Sequence, residues 1–178
     1  TLLDVVGVKS YYTVIYGGKN IKNIDEKFSS TQGNHVILCL PTKEDYIWLE
    51  CTSQTNPFGY TANFTDDRDA LIIEPQGGKI VHTNVYETKD NLKKTLANIK
   101  LTEKGDINSD ISISTYGSQY RYHEILQRES LKNQKLHYKS HFDYINNLEV
   151  GKIEYKNNKE NVSFKEIVRL DITKYASK

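Results

Sequence analysis

The sequence predicts an α+β protein that is mainly antiparallel β, and three observations predict it. Short apolar runs come in adjacent pairs split by polar or glycine-containing turns, as in HVILCLP-TKED-YIWLE and ALIIEP-QGG-KIVHT, which is the pattern of hairpins. Tyrosine occurs 13 times against 5 Phe and 1 Trp, and aromatic residues with a polar tip suit half-wet sheet faces. Helical spacing is limited to a short stub near the start, a weak turn within residues 19–34, and text between residues 118 and 150.

Taken in order, Leu2, Leu3, Val5 and Val6 look like the last turn of a helix, with Gly7 as its cap. A strand follows over residues 11–16 and ends in a double glycine. Residues 19–34 are a polar loop. HVILCLP is a strand closed by Pro41, TKED is the turn, and YIWLE is the return strand. Residues 51–70, rich in Thr, Asn, Asp and Gly, form a loop long enough to suggest a function. ALIIEPQGGKIVHT is a hairpin with its turn at residues 76–78.

Composition changes near Tyr86 to Lys-rich, Asn-rich and β-branched text. NLKKTLANIKL and DISISTYG are two strands around a turn at residues 103–106. Ile111 and Ile113 alternate with Ser, so one face is apolar. Ser118 is placed to cap a helix over SQYRYHEILQRES. Leu131, Tyr138, Phe142 and Ile145 form the stripe of a second helix, which Gly151 is close enough to stop. A final hairpin turns at residues 157–161, and Phe164, Val168, Leu170 and Ile172 share parity on its second strand. Two domains are expected, 1–86 and 87–178, and no internal repeat is visible.

The 178 residues carry 24 basic and 23 acidic side chains, a net charge of +1. That balance argues against a nucleic-acid partner. No apolar run approaches the roughly 18 residues of a membrane helix, and no signal peptide is expected from TLLDVVGVKS. The sequence holds no methionine, from which a longer, processed or trimmed parent chain is expected. Two cysteines, Cys39 and Cys51, are too few for a disulfide scaffold or a four-cysteine zinc site. A bridge between them requires a strand register that brings both to one side.

The chemistry-bearing pattern is His35 at the start of one strand and Glu50 at the end of the next. Antiparallel neighbours place such side chains about 5 Å apart. A histidine oriented by a carboxylate is two thirds of a nucleophile–base–orienter triad. An ordinary cross-hairpin pair is the competing reading. His82 lies on an exposed hairpin strand. His123, His137 and His141 lie on helical text, where structural or solvated roles are expected. His137 and His141 are four apart, a spacing that can hold a metal, but no third ligand stands out.

The run NHVILCLP…YIWLECTSQTNPFGY…TDDRDALII resembles the second half of a bacterial transglutaminase-like domain, of the papain-related superfamily. The likeness spans roughly residues 1–85. It implies a core with a Cys at a helix N-terminus, then strands carrying His and an acidic residue. Their counterparts are His35 and Glu50, the latter where the family usually has Asp. Residues 87–178 look like the β-rich companion domain that follows. The resemblance further implies a protein or peptide substrate, acyl transfer or hydrolysis at amide bonds, no cofactor, no metal, and a periplasmic or extracellular setting. Trp48, Asn34, Gln54 and Tyr60 would bind substrate, beside the long loop.

Neither cysteine fits the nucleophile, since Cys39 lies inside the His strand and Cys51 follows Glu50. The chain by itself is therefore expected to be inert, with the thiol on a preceding segment. A half-domain lacking its central helix is also expected to expose an apolar sheet face, and to seek the missing part of the parent or a second copy. The alternatives are a non-catalytic peptide- or glycan-binding module, and metal binding by His35, Cys39 and Cys51.

Overall fold

The computed structural model describes residues 1–176. Strand makes up 39% of the chain and helix 15%, in two antiparallel sheets, so the class is α+β and mainly antiparallel β. The chain divides into two compact units, Thr1–Glu87 and Thr88–Lys178.

The first unit opens with α1, Leu2–Val5, a single turn. The Thr1 side chain accepts the Asp4 amide at its start. At its end Val8 N–H donates to Leu3 O at 2.9 Å and Gly7 N–H to Asp4 O at 3.1 Å, with Gly7 at φ +72°. This paired closure is the Schellman motif, which glycine at the left-handed position favours.

Five strands follow: β1 Tyr11–Ile15, β2 His35–Pro41, β3 Tyr46–Leu49, β4 Asp69–Glu74 and β5 Gly77–His82. They order as β3-β2-β1-β4-β5, with every neighbour antiparallel. The TKED turn is held by Thr42, whose N–H donates to Asp45 O at 2.8 Å and whose Oγ1 accepts the Asp45 N–H at 3.0 Å. The β4–β5 turn sits at Pro75 and Gln76, because Glu74 pairs with Gly77. That is one residue earlier than the glycine pair suggested.

One face of this sheet is sealed. Ile15, Ile37, Cys39, Trp48, Ala70 and Ile72 are each at most 1% exposed. At about 25 cal/mol per Å² of apolar surface removed from water, such side chains are the main source of stability. The opposite face carries Tyr12, Leu38, Leu49 and Ile73 in one cross-strand row. Tyr12 is 54% exposed and Ile73 44%.

In the second unit β6 Lys93–Leu101, β7 Ile107–Tyr116, β8 Leu148–Asn158 and β9 Ser163–Ile172 order as β6-β7-β9-β8. Between β7 and β8 lie α2, Ser118–Glu124, a 3₁₀ turn at Ile125–Arg128, and α3, Leu131–His141. The core joins Ile111, Ile113, Val150, Val168 and Leu170 to Leu126 and Tyr138 of the helical segment.

Three expectations change here. Gly117, not Ser118, precedes α2 at the cap, and the Ser118 N–H donates to Asn91 Oδ1 at 2.7 Å. α3 stops at His141, so Phe142 and Ile145 belong to the following turn, and Leu131 is 60% exposed. Gly151 lies inside β8, at the irregularity between Val150 and Ile153, because a glycine in a strand marks a bulge as readily as a helix stop.

Candidate active site

Odd-numbered residues of β2 face the sealed core, and His35 is the first of them. The pairing Leu38↔Leu49 sets Glu50 across from Ile37 and so diagonal to His35 on that same face. The pair meets: His35 Nε2 lies 2.8 Å from Glu50 Oε2 and 3.1 Å from Oε1. The Glu50 side chain is 3% exposed and that of His35 is 15%. Thr52 also donates to Oε1, from its N–H at 3.1 Å and its Oγ1 at 2.6 Å.

An ionised carboxylate accepts only, so against an ionised Glu50 the neutral tautomer that suits this contact carries its proton on Nε2 and its lone pair on Nδ1. Among the described residues nothing hydrogen-bonds Nδ1. In that tautomer such a pair can serve as a general base, with the carboxylate on one ring nitrogen and the lone pair on the other.

The ring is set by its neighbours. Phe64 meets it edge-on, with centroids 5.0 Å apart at 84°. Gly17 makes room for both: a Cβ there would lie 2.7 Å from the Phe64 ring and 3.1 Å from His35 Cβ. Asn34 clamps the same glycine, accepting its N–H at 2.7 Å and donating to its carbonyl at 3.2 Å. Gly18 N–H donates to Phe64 O at 2.9 Å. Beneath them Arg68, fully buried, donates to the Tyr16, Gly18 and Asp66 carbonyls at 2.6, 3.1 and 2.7 Å. Burial holds its pKa below the usual guanidinium value.

The remaining expected site residues are placed as follows. Trp48 shares the face of His35 and Glu50 but is 1% exposed, packed against Tyr46 with centroids 5.7 Å apart. Tyr60 is 1% exposed and lies 6.0 Å from Tyr86. Neither ring presents a surface to solvent. Asn34 has its amide engaged by Gly17, and Gln54 sits exposed on the loop.

Both cysteines are free. Cys39 is buried in β2, and burial pushes its thiol up to about 12. Cys51, one residue past Glu50, is exposed, and its thiol is raised by burial and then by the Glu50 charge. Neither is a thiolate suited to attack. Among the described residues no group of three or more His, Cys, Asp or Glu is arranged to hold a metal.

Two constellations escaped the sequence reading. His82 binds Asp69 through Nδ1 at 2.7 Å and Asp67 through Nε2 at 3.1 Å, and these bonds raise its pKa, Asp69 first. In the second unit Glu166, fully buried, takes His123 Nδ1 on one oxygen and the Tyr138 hydroxyl on the other. The available signal was an acidic residue between Phe164 and Val168 at inward parity.

No protein-family model, curated protein or solved structure matches the chain.

Proposed function

We propose that the first unit carries the general-base half of a transglutaminase-like cysteine site, which acts on amide bonds of a protein or peptide. The observation that supports this reading is the His35–Glu50 dyad. Its carboxylate holds Nε2, Nδ1 is left basic, and the imidazole retains 15% exposure at the end of its strand.

The chemistry follows from that orientation. Nδ1 takes the proton of an incoming thiol, and Glu50 stabilises the imidazolium that forms. The thiolate attacks the amide carbon. Collapse of the tetrahedral species breaks the C–N bond, and the departing amine takes the proton back from Nδ1. Water or a second amine, deprotonated by the same nitrogen, then releases the acyl group from the thioester. The nucleophilic thiol comes from outside these residues, since Cys39 is sealed in β2 and the Cys51 thiol, in the turn after β3, is raised by burial and by the Glu50 charge. Alone, the chain is inert.

The test is a thiol-dependent amidase, protease and transamidase assay on a protein joining this chain to an upstream segment that bears a cysteine. Substituting His35→Ala should lower turnover by roughly 10³-fold or more while substrate binding changes little, with circular dichroism confirming that the variant, which loses a partner of the buried Glu50 carboxylate, is still folded. Equal activity in parent and variant, or no activity in the joined protein, removes the reading and leaves a peptide- or glycan-binding module as its successor.

A further inference from the structure

The second unit contains a groove of about 300 Å³ along the inward side of β6 and β7. Its floor is Ile107, Ser109, Ile111 and Ile113; its outer wall is Thr95, Ala97 and Ile99 of β6; and Phe142 and Ile145 roof it. This volume is at the lower end of the range for small-molecule sites. No acidic side chain is among its lining residues.

Two polar features break the apolar lining. Ser109 is 4% exposed, and its Oγ has no hydrogen-bond partner. It stands in a row with Ile99 and Leu170, where an aliphatic side chain would avoid burying an unpaired hydroxyl. At the other end are Lys93 and His141. Both line the groove, and both lower the His137 pKa through their charge, after burial. Glu166 also acts on His137, but it is fully buried and its oxygens are taken by His123 and Tyr138. Lys93 and Ser109's partner Ile99 are separated by six residues of strand, or about 20 Å at 3.3 Å per residue.

We infer that this groove binds a single-chain aliphatic amphiphile, with an anionic head at Lys93 and His141 and a hydrogen-bonding oxygen far along the chain at Ser109. The apolar length between the two ends fits methylene groups, and the cationic end complements a carboxylate. A cationic head is repelled by Lys93 at that end.

The experiment is calorimetric titration of the whole chain with 12-hydroxydodecanoate, dodecanoate and dodecyltrimethylammonium, below their aggregation concentrations. Saturable one-to-one binding of the two carboxylates is expected, with the hydroxylated chain preferred. Lys93→Glu should weaken both by about tenfold or more. Ser109→Val should erase the preference for the hydroxylated chain by removing its partner. Ala97→Phe, at an exposed position of β6, should block the groove while leaving circular dichroism and thermal stability intact. The inference is overturned by an absence of saturable binding, by equal binding of the cationic chain, or by titrations that Ala97→Phe leaves unchanged. It is equally overturned if the chain self-associates, Ala97→Phe abolishes that association, and no carboxylate binds; the groove is then a contact between copies.

Discussion

Glu50 and Glu166 are both carboxylates withdrawn from water, and in both a histidine and hydroxyl donors replace the lost solvation. Burying a carboxylate is tolerable only with such partners. Removal of the Glu166 side chain leaves the Tyr138 hydroxyl, in a residue 2% exposed, without its acceptor. Glu166→Ala should therefore cost roughly 3–5 kcal/mol in urea unfolding. Glu166→Gln keeps the shape and one acceptor, and should cost clearly less; equal losses would show that volume, not hydrogen bonding, sets the penalty. His82 obeys a different balance. Its two aspartates raise its pKa, so its contribution is complete below the ordinary value near 6.5 and is lost as pH rises through the folded value. Its side chain is 45% exposed, and solvent screening keeps the effect under about 1 kcal/mol. In Asp69→Asn the His82 titration followed by NMR should move down towards the ordinary value, and the alkaline decline in stability should flatten.

At the scale of elements, the end of β1 carries the site. Asn34, Arg68 and the Gly18–Phe64 bond all converge on the double glycine and hold Phe64 against the His35 ring. Gly17→Ala inserts a methyl group 2.7 Å from the Phe64 ring. We expect it to destabilise the first unit by about 1–3 kcal/mol through overpacking, and Phe64→Leu in the same chain should recover part of the loss. An unchanged denaturation midpoint would mean that the ring moves freely and orients nothing. This convergence also explains what could be read beforehand. The HVILCLP–TKED–YIWLE hairpin was legible because alternation and turn residues are local, and parity set His35, Ile37 and Cys39 on one face of β2 and Trp48 and Glu50 on one face of β3; the register Leu38↔Leu49 makes these the same face. Arg68 was not legible. Its carbonyl partners at Tyr16 and Gly18 lie about fifty residues away in sequence, and no local pattern records where a guanidinium will be received. Trp48 is a different case: its parity could be read, but its 1% exposure depends on what covers the face.

Taken whole, the chain is two sheets with unequal faces. In the first unit the side bearing the dyad is closed, whereas the row Tyr12, Leu38, Leu49 and Ile73 opens towards solvent. In the second unit the edge strand β6 is instead exposed on both sides, with Leu96 and Ile99 61% and 64% exposed. Composition shifts near Tyr86, beside the boundary between the two compact units; which face of each sheet is covered was not legible, since alternation marks a face as apolar without saying what lies over it. The two sulfur atoms show what this asymmetry does to the molecule in air. One is locked in the interior and the other is outside, so they cannot join within a chain. Oxidation should instead tether one molecule to another through Cys51. A non-reducing gel of aged protein should show a species at twice 20.5 kDa, abolished by Cys51→Ser and by dithiothreitol but untouched by Cys39→Ser.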